Sequence, residues 1–105
     1  MNQLVLREKD LAGLWETLRR FGYVREVRVF GSRATGTAHR ASVLDLAISA
    51  PAASSAEWAE LCEALETAPL TYELDLVRTE RTTNERFREK IAREGVTMFP
   101  IPADR

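Results

Sequence analysis

The chain has 105 residues, enough for one hydrophobic core, and is 45 % hydrophobic and 30 % charged. Its 15 Lys and Arg against 16 Asp and Glu leave a net charge of -1, which offers no global field to DNA, RNA or an anionic membrane and disfavours direct nucleic-acid binding. A lone cysteine, Cys62, excludes an internal disulfide and the cysteine-rich zinc frameworks, and no apolar run approaches the roughly 18 residues of a membrane span, so a single cytoplasmic domain over 1–105 is expected.

Leu11, Leu14, Trp15 and Leu18 recur at i, i+3, i+4 and i+7, which predicts a first helix from about Lys9 to Phe21 with Gly22 as its stop. Val24, Val27, Val29 and Phe30 then mark a short strand that runs straight into Gly31-Ser32. After the small and polar residues of "RATGTAHRA", the segment "SVLDLAIS" returns to strand composition, with Leu44, Leu46 and Ile48 on one face and Val43, Asp45 and Ala47 on the other.

Pro51 breaks that strand, and Ser54 with Glu57 has the spacing of a capping box at the start of a second helix. Trp58, Leu61, Cys62 and Leu65 form its apolar stripe, with Cys62 expected as a small buried hydrophobe, and Pro69 prevents continuation. "TYELDLV" reads as a third strand, placing Tyr72, Leu74 and Leu76 opposite Glu73, Asp75 and Val77. Thr82 and Glu85 suggest another capping box, opening a charged helix anchored inward by Phe87 and Ile91 and closed by Gly95. "VTMF" is a candidate terminal strand. This order predicts an α/β protein of the two-layer α+β kind, a mixed three- to four-stranded sheet covered by helices.

Two features carry chemistry. Gly31 and Ser32 leave a strand where glycine lets the backbone approach a phosphate, and backbone amides with the Ser32 hydroxyl can donate to it. Asp45 and Asp75 each sit in the middle of an apolar strand, a position that aspartate avoids unless water, an arginine or a cation answers its charge. For both acids together, downstream of a phosphate-type turn, a hard cation such as Mg²⁺ is the better account, because oxygen ligands and substrate phosphates are its usual partners.

Gly31-Ser32, ten intervening residues, Val43-Leu44-Asp45 and the later strand acid of "ELDLV" together resemble the minimal nucleotidyltransferases of the DNA polymerase β superfamily, antitoxin-type, over nearly the whole chain. The resemblance implies the nucleotidyltransferase fold, ATP as substrate and Mg²⁺ as cofactor. It implies that Gly31, Ser32 and Arg33 bind the nucleotide phosphates, that Asp45 and Asp75 are the catalytic metal ligands, and that Asp75 serves as base. It further implies transfer of AMP to a HEPN-type toxin, silenced by its antitoxin partner. The family pattern has aspartate at position 43, where this chain has Val43, a side chain with no ligating atom.

Weak or lost catalysis, with the partner restrained by binding, is therefore the leading expectation. A slow but active protein adenylyltransferase and a nucleotide-binding regulatory or scaffold domain without a toxin partner are the alternatives, and oligomerisation stays open. Glu73 shares the face of Asp75 but starts about 6–7 Å away along the strand, which argues against its replacing the missing ligand. His39 has no second histidine to complete a metal site.

Overall fold

The computed structural model describes residues 8–31, 43–70 and 72–100. Helix α1 (Glu8–Leu18) leads into strand β1 (Glu26–Phe30), then β2 (Leu44–Ser49), helix α2 (Ser55–Thr67), strand β3 (Leu74–Arg78), a short 3₁₀ turn (Thr79–Arg81), helix α3 (Glu85–Glu94) and strand β4 (Val96–Phe99). The strands form one four-stranded mixed sheet in the order β3-β2-β1-β4. β1 pairs antiparallel with both β2 and β4, whereas β2 and β3 are parallel and joined through α2.

The expected alternation along the strands separates two faces. Leu44, Leu46 and Ile48 of β2 and Val27 and Val29 of β1 are fully buried against Leu14 and Leu18 of α1 and Leu61 and Leu65 of α2. Trp15 and Trp58 pack at the edge of this core, and the Trp15 indole donates to the Met98 carbonyl at 2.7 Å, tying α1 to β4. On the opposite face, Phe87 and Ile91 of α3 meet Phe30, Ala47 and Val77 in a second, smaller apolar cluster. The helices thus lie on both sides of the sheet, and α3 covers the side that carries Asp45 and Asp75.

Local signals set most of the element ends. The Ser54–Glu57 capping box forms in both directions, at 3.1 Å to the Glu57 amide and 2.8 Å from the Ser54 amide. Helix α1 stops at Leu18, earlier than its periodicity suggests, because Arg20 and Phe21 make tightened bonds three residues back, to Thr17 and Leu18. The cap of α3 is Asn84, whose side-chain oxygen accepts from the Phe87 amide at 3.2 Å. Thr82 belongs instead to the 3₁₀ turn, where its hydroxyl donates to the Arg78 carbonyl at 3.3 Å. Both residue types cap well, and the inserted turn shifts the helix start by two residues.

Arg78 and Glu80 brace the other end of the β2–β3 pair. The Arg78 guanidinium donates to the carbonyls of Ala50 and Ala53 at 2.8 and 2.6 Å and lies over the Trp58 ring, 5.4 Å from its centroid. Glu80 accepts from the Ser49 hydroxyl at 2.5 Å and the Ala50 amide at 3.0 Å. Cys62 is half-buried, less enclosed than its helical position suggests, and burial together with nearby Glu66 raises its thiol pKa, so it is a poor nucleophile. No described helix is long and apolar enough to cross a membrane.

Candidate functional site

Three residues line up across the sheet at the end where β1 finishes. Phe30 pairs with Asp45 across the antiparallel β1–β2 ladder, and Asp45 pairs with Asp75 across the parallel β2–β3 ladder. Residues paired directly across neighbouring strands point to the same face, so the two carboxylates stand side by side. The chain that leaves Phe30 turns at Gly31, which has a φ of 74°, in the left-handed region. A Cβ at Gly31 would lie 2.5 Å from Asp45 Oδ2, so the missing side chain is what lets the backbone close against the carboxylate.

Asp45 is half-buried and Asp75 exposed. Burial raises the Asp45 pKa above 3.8, and the neighbouring charge and hydrogen-bonding carboxyl of Asp75 raise it further, while Lys90 of α3 pulls it down. Two adjacent carboxylates repel when both are ionised, and a cation or a shared proton removes that repulsion. Among the described residues the ion pairs are Arg28–Glu26, Arg78–Glu80 and Arg93–Glu94, and none of these arginines reaches the pair.

An all-oxygen set of two carboxylates suits a hard divalent cation, and the tight approach of Gly31 leaves the Asp45 carboxylate fixed beside the backbone turn. The fit is to a site with two protein ligands. Among the described residues, no group of three His, Cys, Asp or Glu side chains is placed to hold a metal ion. Val43 is 36 % exposed, just before β2, and contributes only methyl groups. Glu73, which precedes β3, does not complete the set, and its backbone carbonyl is engaged by the Leu44 amide at 2.8 Å.

Of the residues expected to bind phosphate, Gly31 lies against Asp45, whereas Ser32 and Arg33 lie outside the described residues, as does His39. Lys90 is the participant that periodicity did not reveal. It sits in a charge-rich helix that reads as a solvent face, and only the docking of α3 on the acid-bearing side brings its charge to Asp45. Its sole sequence signal is its position beside the inward anchor Ile91.

The site is thus an acid pair on the parallel neighbours β2 and β3, β3 being an edge strand of the mixed sheet, with a glycine turn at the end of β1. The model of the polymerase beta nucleotidyltransferase family matches residues 13–101, and the chain belongs to that family. A solved structure named as a minimal nucleotidyltransferase is 34 % identical, with 91 % of this chain and 95 % of that chain covered and a TM-score of 0.66.

Two further structures share the fold at lower identity. A toxin–antitoxin complex with AMP-PNP is 23 % identical, covers 90 % of this chain and 77 % of its own, and has a TM-score of 0.71. A tri-AMPylated HEPN toxin in complex with its MNT antitoxin, from Shewanella oneidensis, is 17 % identical, covers 90 % and 72 % respectively, and has a TM-score of 0.65. No curated protein matches the chain.

Proposed function

We propose that this nucleotidyltransferase-family chain is the antitoxin of a HEPN-type toxin, that it binds ATP with a divalent cation at Asp45 and Asp75, and that its AMP transfer is weak or lost. The observation that carries the reading is the side-by-side placement of Asp45 and Asp75 against Gly31, with an apolar residue at position 43. The likeness in fold to structures named as toxin–antitoxin complexes, one of them with a HEPN toxin, supports the choice of partner.

In the transfer this site is shaped for, a partner hydroxyl attacks the α-phosphorus of ATP, the bond to the bridging oxygen breaks, and pyrophosphate leaves with that electron pair. In this reading Asp75, the more exposed acid, takes the hydroxyl proton, and Asp45 anchors the cation. Gly31 and the residues that follow would hold the terminal phosphates through backbone amides. A bound Mg²⁺ would neutralise the acid pair and polarise a phosphoryl oxygen. With Val43 in place of a third carboxylate, the chain can hold nucleotide and partner while lacking one oxygen that fixes the reacting groups.

Purified chain mixed with a HEPN-type toxin, taken from a gene adjacent to its own, should form a stable complex with reduced ribonuclease activity, before any ATP is added. Absence of both complex and inhibition would overturn the antitoxin reading. Retention of both strand acids favours a second reading, a slow adenylyltransferase. Mass spectrometry of the toxin after hours with ATP and Mg²⁺ tests it, since no added AMP mass rejects the slow-enzyme reading.

A further inference from the structure

Helix α3 lies over the sheet face that carries the acid pair, held there by Phe87 and Ile91 against Phe30, Ala47 and Val77. The rings of Phe30 and Phe87 meet edge to face at 5.5 Å, which fixes the helix above the residue paired with Asp45. Lys90 follows Phe87 by three positions, about 60° around the helix from it, and so flanks the inward stripe. Chain direction decides which end of α3 comes near the site. β3 runs from Asp75 away to Arg78, α3 returns, and Val96, just after the helix, pairs with Val29, two residues before Gly31. The later half of α3, with Lys90, is therefore at the acid end.

Lys90 is exposed, and among the described residues no ion pair occupies its ammonium. Its charge nevertheless acts on Asp45, against the effects of burial and of Asp75. The charge balance gives this placement a use. Two carboxylates can hold one divalent cation, and a nucleoside triphosphate brings more negative charge than that single ion offsets. A flexible ammonium at the rim of such a site is a suitable point charge for a phosphate oxygen.

We propose that Lys90 is a further substrate-binding residue, whose ammonium meets the triphosphate of a nucleotide held over Asp45 and Asp75 and supplies positive charge that a second cation would supply were position 43 an acid. The site then works with one divalent ion. This rests on the nucleotide-binding reading above. The competing role is an intrachain counter-charge, in which Lys90 only relieves the repulsion between the acids and touches no substrate.

Calorimetric titration of the full chain with Mg²⁺ alone, and with ATP in saturating Mg²⁺, tells these apart in Lys90→Ala and Lys90→Arg. The substrate-binding role predicts that Lys90→Ala weakens ATP about tenfold, the worth of one hydrogen bond to a charged group, and that Lys90→Arg largely restores it. Binding of Mg²⁺ alone should hold or tighten in Lys90→Ala, since a positive charge has left its neighbourhood. Without ligand the melting temperature should be unchanged, as the side chain is exposed. Unchanged ATP affinity in Lys90→Ala overturns the proposal, as does an equal loss of ATP and Mg²⁺ binding. Failure of the parent chain to bind ATP with Mg²⁺ overturns the nucleotide-site reading itself, and is seen before any variant is made.

Discussion

Asp45 and Asp75 face each other across two parallel strands, near enough for one carboxyl to hydrogen-bond the other. Neither acid gains from that neighbour while both are ionised. The arrangement therefore weakens the fold at neutral pH.

Replacing Val43 by aspartate adds the missing oxygen ligand at little structural expense, because the residue is 36 % exposed and lies just before β2. Stability should change by less than about 0.5 kcal/mol. AMP transfer to the toxin partner should rise by at least about 10–100-fold, the span already associated with losses in the shell around a metal's ligands. Mass spectrometry of the toxin with parent and Val43→Asp chains checks this. No gain would mean that more of the site than position 43 has been lost.

The raised Asp45 pKa has a defined sign for stability. The folded state binds the Asp45 proton more tightly than the unfolded chain, whose value is near 3.8, so the contribution of this group to stability is fully present in acid and is lost as pH rises through the window above that value. Asp45→Asn removes the ionised form and should raise the melting temperature at neutral pH, with the gain vanishing in acid. The same variant should lose the stabilisation that Mg²⁺ gives the parent chain. Melting curves across pH, with and without Mg²⁺, measure both effects.

Gly31→Ala puts a methyl group 2.5 Å from Asp45 Oδ2 and forces an L side chain into a φ of 74°. A loss of about 1–2 kcal/mol is expected from the backbone conformation alone. Displacing the carboxylate should also abolish the thermal shift produced by ATP and Mg²⁺. Retention of that shift would show that Asp45 can move without loss of binding.

Glu80 behaves in the opposite sense to Asp45. Burial alone would raise its pKa, but hydrogen bonds from Ser49, the Ala50 amide and its own amide, with the Arg78 charge, bring it below 4.5. Its contribution is fully present above the unfolded value and is lost as pH falls through the lower folded value. Glu80→Gln should therefore destabilise the chain by about 1 kcal/mol at neutral pH, and by progressively less in acid. Denaturant titrations at several pH values test this.

The elements themselves were legible because periodicity is a local property. Leu11, Leu14 and Leu18, and Leu61 with Leu65, occupy the buried stripes that their spacing requires, and β2 presents its three large apolar residues to one face. The Ser54–Glu57 cap was readable for the same reason, being complete within four residues. The Thr82–Glu85 pattern misled, since the 3₁₀ turn ends on Thr82 and leaves Asn84, two residues on, to cap the helix.

The site was legible in kind but not in arrangement. The sequence by itself determined that two acids lie in apolar strands, that a glycine ends the strand before them, and that position 43 has no ligating atom. Tertiary structure alone decided that β2 and β3 are parallel neighbours in the register that faces Asp45 with Asp75, and that α3 docks on that side with Lys90 toward them. Strand order and helix placement follow from long-range pairing and from apolar burial summed over the whole chain, so no short window of residues contains them.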